Sequence, residues 1–154
     1  MTASGAAVEI RPYRNADLGR VVALWQACGL VRPWNPPEGD IAFVNRSGHG
    51  QIFVAAVGPS NDGDEAIIGS IMVGHDGHRG WVYYVAVDPQ HQGSGLGSRL
   101  MQAAEAWLTA RGVRKLELMI RETNAAVAAF YTALHYEREP VSVMSRWLDG
   151  TSRA

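Results

Sequence analysis

A single cysteine, Cys28, in 154 residues excludes an internal disulfide and a thiolate zinc cage, and fits a reducing compartment. Charge of one sign is also lacking. Fourteen basic against 15 acidic residues give a net charge of -1 and a pI near 6.5, so there is no positive field to hold a polyanion, which argues against nucleic acid as a partner. No apolar run approaches the roughly 18 to 20 residues that span a bilayer. Met1 to Ala7 has neither a basic segment nor an apolar stretch for export, so the expectation is a cytoplasmic protein with no membrane partner. His75 and His78 flank Asp76-Gly77 without clustered carboxylates or cysteines; they read as turn residues, and no metal is expected. What remains is 47% hydrophobic and 19% charged, with a mean hydropathy of -0.10 and a mass of 16.7 kDa. That composition predicts a globular chain with one domain over residues 1–154 and a core over about residues 8–148.

The order of elements follows from periodicity. Val8 to Pro12 reads as a short strand; Asn15 then caps a segment in which Leu18, Val21, Val22, Trp25 and Cys28 recur at helical spacing until Gly29 ends it. On that stripe Cys28 reads as core filling. Arg32-Pro33-Trp34-Asn35-Pro36-Pro37 is a loop because its prolines fix φ and remove donors, and Asp40 to Asn45 follows as a short helix. Gln51 to Val57 and Ala66 to Gly74 are β-rich runs joined through the turn-forming series Pro59 to Asp64. Trp81 to Val87, nearly all apolar or aromatic, reads as a central strand covered on both faces. Leu96, Leu100, Ala103, Ala104, Trp107 and Leu108 mark a long amphipathic helix closed by Gly112. Lys115 to Ile120 reads as a strand, Asn124 as the cap of a helix from Ala125 to about Leu134, and Val141 to Leu148 as a last strand that could pair across a homodimer. This order predicts an α/β (α+β) domain: a mixed, mostly antiparallel sheet of about six or seven strands flanked by about four helices.

The segment from Gln90 to Ser98, between a strand and the long helix, is rich in glycine: Gly93, Gly95 and Gly97 alternate. Such spacing lets successive N–H groups turn inward, and the helix N-terminus adds partial positive charge, so the loop suits a diphosphate; a tight turn is the bland alternative. A nucleoside triphosphatase loop would need lysine then Ser or Thr after the last glycine, but Ser98-Arg99 stands there. A dinucleotide fold would need its first glycine directly after the strand, whereas Asp88 to Gln92 intervene; Glu117, 20 residues past Gly97, keeps an NAD-binding oxidoreductase only as a weak alternative.

Gln90-x-x-Gly93-x-Gly95 after Val85-Ala86-Val87-Asp88-Pro89, followed by Asn124-Ala125-Ala126 and then Phe130-Tyr131-Thr132-Ala133-Leu134-His135-Tyr136, closely resembles the two spaced motifs of the GNAT superfamily of N-acetyltransferases. The likeness runs from about Val8 to Leu148. It implies the acyl-CoA N-acyltransferase fold and acetyl-CoA (CoA) as the cofactor. It implies acetyl transfer by direct attack of a primary amine, the acceptor being a small molecule or a peptide. It places the backbone of Val85, Ala86 and Val87 against the pantetheine, and the amides of Gln92, Gly93, Ser94, Gly95, Leu96, Gly97 and Ser98 against the pyrophosphate. Asn124 and Tyr131 complete the cofactor site, with Tyr131 as the general acid near the sulfur.

The base does not carry over. The positions at which family members place a glutamate hold Trp81 and Met119 here, and neither accepts a proton. Glu117 and Tyr83 share strand faces with these positions and could approach the cleft, although Glu117 also reads as a surface charge paired with Lys115 or Arg114. Arg32, Trp34, Asn35 and Asp40 fall in the segment that in this family walls the acceptor pocket, where a guanidinium and an aromatic ring could grip an acceptor carboxylate and carbon skeleton. His135 replaces the family's glycine, which implies a strained or altered helix cap. Because the glutamates are missing, a non-catalytic acyl-CoA-binding sensor on the same fold is the alternative.

Overall fold

Pairing of the strand runs is settled by their register. In a computed structural model describing residues 7–58 and 65–151, β1 (Val8–Pro12), β2 (Gly50–Val57), β3 (Ala66–His75), β4 (Gly80–Val87) and β5 (Leu116–Glu117) form one sheet in sequence order. The first three pairings are antiparallel and the last is parallel. The crossover into β5 is α3 (Leu96–Ala110), as a parallel neighbour requires. Helices α1 (Leu18–Ala27) and α2 (Pro37–Ser47) precede β2. The expected turn from Pro59 to Asp64 lies outside the described residues.

The chain divides into two compact units, Met1–Leu118 and Met119–Ala154. In the first, Val21, Leu24 and Trp25 of α1 and Ile41 and Val44 of α2 pack on Ile52, Val54 and Met72. Gly69, Ile71 and Val73 alternate with Ser70 and Met72 and so face the other way, toward α3. That helix sits close: a Cβ at Gly69 would meet Leu100 Cδ1 at 3.0 Å, and one at Gly80 would meet Leu108 Cδ1 at 2.5 Å. Strand β3 is therefore the one buried on both faces, the role its neighbour Trp81 to Val87 was expected to fill. Strand β4 instead keeps Tyr83 44% exposed, because α1 and α2 leave a cavity over its first half.

Several boundaries move. Asn15–Asp17 forms a 3-10 turn ahead of α1, and α1 stops where Gly29 turns left-handed at φ 69°. Pro37 opens α2 three residues before the expected start, a position that suits proline because its missing N–H would have no helical partner there. The strand expected over Lys115 to Ile120 shrinks to Leu116–Glu117, paired with Gly80 and Trp81.

The second unit contains α4 (Ala125–Ala133), capped by Asn124, whose side chain accepts from Val127 N at 3.2 Å. Val141 to Leu148 is not a strand: it has no ladder partner among the described residues, and Met144 and Leu148 are 95% and 94% exposed. Strand preference is a preference for a pleated, half-buried surface, which this segment lacks. The sheet thus has five strands among the described residues instead of six or seven, and the edge expected to pair across a homodimer is not formed. No helix among the described residues is long and apolar enough to cross a membrane.

Candidate functional site

Strand β4 breaks its own ladder. Ser70 pairs with Ala86 and Met72 with Tyr83, so Tyr84 and Val85 together oppose Ile71, a β-bulge. Tyr84 takes φ 51° there, a left-handed conformation rare for a bulky residue. On the opposite edge β5 covers only Gly80 and Trp81. From Val82 to Val87, therefore, no strand pairs with the outer edge of β4 among the described residues, and main-chain groups there are available to an extended ligand. At the strand's end, Val87 O accepts from Cys28 Sγ and from Gln92 Nε2, each at 3.3 Å. Cys28 thus anchors this strand end, and burial, with the charge of Asp88, raises its thiol pKa, so it is a poor nucleophile.

The glycine-rich loop follows directly. The Asp88 side chain accepts from Gln90 N at 2.8 Å, a 3-10 turn covers Pro89–His91, and the Ser94 hydroxyl donates to His91 O at 2.7 Å. Gly93 and Gly95 both stand at φ 80°, with open space where a Cβ would be, so these glycines serve backbone conformation rather than close approach. From Gly93 to Ser98 no backbone N–H donates to a partner among the described residues. Six successive free amides at the N-terminus of a 15-residue helix make a cradle that fits a diphosphate.

Beside β4 lies a cavity of about 530 Å³. Leu30, Phe43, Val44 and Met72 form its apolar wall, with the rings of Trp81 and Tyr83; Asn35, Asp40, Ser47, His49 and Tyr84 supply its polar atoms. Asp40 Oδ2 accepts from Tyr84 Oη at 2.6 Å and from Asn35 Nδ2 at 3.0 Å. Burial, then the bond to Asp40, raises the Tyr84 pKa, so the phenol keeps its proton.

Of the residues expected to meet an acceptor, Asn35 and Tyr83 line this cavity. Trp34 is half-buried and outside the lining. Arg32 Nη1 donates to Gly29 O at 2.7 Å and Val31 O at 3.1 Å, tying the end of α1. Glu117 pairs with Arg79 at 3.6 Å. His75 and His78 belong to the turn between β3 and β4: Gly77 N donates to His75 Nδ1, and His78 N and Arg79 N donate to Asp76 Oδ1. The Asp40 to Tyr84 bond is the feature that sequence patterns did not reveal. The signal available was Pro36-Pro37, which starts α2 early and brings Asp40 into its first turn.

In the second unit, Tyr131 is 7% exposed, with Phe130 and Tyr136 ring centroids at 4.9 and 5.7 Å. Burial pushes its pKa up to about 12. His135 stands at φ 70° in a Schellman cap: Tyr136 N donates to Tyr131 O and His135 N to Thr132 O, each at 3.0 Å.

The chain matches the acetyltransferase (GNAT) family over residues 20–136. It is 40% identical over 141 residues to acetyltransferase YE1169 of Yersinia enterocolitica, covering 92% of this chain and 96% of that one. It is 43% identical over 130 residues to acetyltransferase ECA0875 of Pectobacterium atrosepticum, covering 84% and 88%. Among solved structures, AAC(6')-Iy in complex with the bisubstrate analog CoA-S-monomethyl-acetylneamine aligns with TM-score 0.75 at 18% identity, over 92% of this chain and 99% of that one. The ribosomal-protein-S18-alanine N-acetyltransferase from Escherichia coli aligns with TM-score 0.67 at 22% identity, over 83% and 76%. At these identities the solved structures share the fold. By the family match and the curated relatives, the chain belongs to the GNAT family and is an acetyltransferase.

Proposed function

We propose that this enzyme moves an acetyl group from acetyl-CoA to a primary amine by direct attack: the neutral nitrogen bonds to the acetyl carbon as the carbon–sulfur bond breaks, and the proton the nitrogen then sheds passes to water. The observation that carries the reading is the run of free amides from Gly93 to Ser98 at the start of α3, reached directly from a strand whose outer edge has no ladder beyond Trp81. The backbone of Val85, Ala86 and Val87 would hold the pantetheine arm, and Gln92 to Ser98 the pyrophosphate. When bound, acetyl-CoA supplies the acetyl group as a thioester. Solved neighbours carry CoA, as in AAC(6')-Iy in complex with CoA.

Tyr131 serves as the acid. A phenol with a pKa near 12 is fully protonated at neutral pH, so its Oη has a proton to give to the departing sulfur. Asn124 acts by starting the helix that carries Tyr131. The acceptor enters the cavity over β4, with Asn35 and Tyr83 on its walls. The names of solved neighbours cover aminoglycosides and a ribosomal-protein alanine, which is consistent with a small-molecule or peptide amine; a cytoplasmic location fits such substrates.

The test is acetyl-CoA-dependent release of CoA with a panel of amines, on wild type and Tyr131→Phe. The reading expects turnover by wild type, and turnover lost with acetyl-CoA affinity kept in the variant. Equal turnover by Tyr131→Phe removes the acid assignment, and binding of acetyl-CoA without transfer to any amine would support the sensor.

A further inference from the structure

The cavity over β4 holds one negative group among apolar and aromatic walls. Asp40 is the only acidic residue in its lining among the described residues, and no Lys or Arg lines it. The position of Asp40 is fixed twice, by Tyr84 Oη and Asn35 Nδ2, and both bonds fall on Oδ2. Oδ1 is left without a bond among the described residues. Tyr84 is itself held on two sides: its ring stacks on Trp25 at 3.7 Å with planes 6° apart, and its carbonyl accepts from the Ser70 hydroxyl at 2.9 Å. A carboxylate oriented this firmly, with one oxygen open, is built to receive an ammonium group by a charge-assisted hydrogen bond. The Trp81 and Tyr83 rings, 5.3 Å apart, add faces that attract a cation and pack on a carbon skeleton.

From this we infer the acceptor class: a small primary amine carrying a single positive charge on an apolar or aromatic body, with no carboxylate beside the amine, and Asp40 as the residue that receives it. The inference rests on the acetyl-transfer reading and gives it a substrate. A polycationic, hydroxyl-rich aminoglycoside would set most of its ammonium groups against Phe43, Met72 and the rings, uncompensated. A free amino acid would bring its carboxylate toward Asp40, while Arg32, the guanidinium expected to grip it, is held by Gly29 O and Val31 O. Tyr84 and Val85 are consecutive, so an amine on Asp40 sits beside the strand proposed to carry the thioester arm; bound as the ammonium, it gives its extra proton to water before the neutral nitrogen attacks.

The test uses equilibrium titration of the whole protein, without acetyl-CoA, with phenylethylamine, phenylalanine and neamine as probes. We expect phenylethylamine to bind about tenfold or more tighter than either of the others. Asp40→Asn should weaken it about tenfold or more while acetyl-CoA affinity, measured on the same sample, is unchanged. Tighter binding of phenylalanine or neamine overturns the assignment, as does undiminished binding of phenylethylamine to Asp40→Asn. If that variant does not fold, the ranking of the three probes on wild type still decides. Because amine binding is read without turnover, amine bound in the expected order but never acetylated contradicts the acetyl-transfer reading alone.

Discussion

Trp25 and Tyr84 are joined twice: their rings stack at 3.7 Å, and Trp25 Nε1 donates to the Ser70 hydroxyl, which donates to Tyr84 O, both at 2.9 Å. This closed link holds a bulky residue at φ 51°, a conformation that costs about 1–3 kcal/mol and persists only where its surroundings impose it. The bulge in β4 is thus secured from α1. Ser70→Ala would leave a buried indole N–H without its partner and release the strained carbonyl. The expected cost is about 1–3 kcal/mol of stability, read by urea unfolding, together with weaker acetyl-CoA binding. Unchanged stability would mean the link contributes nothing.

Tyr131 has a pKa raised by burial to about 12, above the ordinary phenol value of about 10. The neutral form is favoured in the fold, so its contribution to stability is complete below pH about 10 and is lost as pH rises through 12. As the proposed acid it keeps its proton through pH 10, and kcat/KM should climb with pH as the amine loses its own proton, without an alkaline fall below that point. An alkaline fall in wild-type kcat/KM centred well below pH 10 would contradict this.

The helices and the glycine-rich loop were legible because their signals are local. Asn124 caps α4, Gly29 ends α1, and the glycines of Gln90 to Ser98 lie where a strand hands over to α3. The bulge at Tyr84 was not legible, since it depends on Trp25 and Ser70 far away in sequence. Asp40 meets Tyr84 across 44 residues, a pairing no periodicity encodes. Val141 to Leu148 has strand-like composition, yet a ladder needs a neighbour, and none of the described residues pairs with it. Arg32 resembled an acceptor contact by composition, whereas its geometry ties it to the backbone after α1.

Arg11 joins Asp17 through two bonds, at 2.8 and 3.0 Å, and Glu65 at 3.2 Å, all in a buried cluster with Asp17 1% exposed. Burial alone would raise the Asp17 pKa, but the bonds from Arg11 and from Arg14 N, with the cationic charges, lower it overall. A depressed folded pKa means that the stabilisation is complete above the ordinary carboxylate value of about 3.9 and is lost as pH falls through the lower folded value. Asp17→Ala should therefore cost about 3 kcal/mol at neutral pH, from a buried guanidinium left with Glu65 as its one bonded carboxylate beside Pro12 O, and flatten the acid limb of stability against pH. An acid limb identical to wild type would refute the assignment.

His135 occupies the left-handed position of a Schellman cap at φ 70°. His135→Gly should stabilise the protein by about 0.5–1 kcal/mol, read as a raised melting temperature. A lowered one would show that the imidazole makes up for the strain.

The most direct measurement is calorimetric titration of wild type, Gly95→Glu and Gly95→Asn with acetyl-CoA, CoA and NAD. Glutamate at φ 80° adds strain and a negative charge to the amide cradle, whereas asparagine tolerates that conformation. Wild type and Gly95→Asn should bind acetyl-CoA and CoA but not NAD, and Gly95→Glu, folded, should bind none of them. Failure of folded wild type to bind CoA ligands, or equal binding by Gly95→Glu, would contradict this.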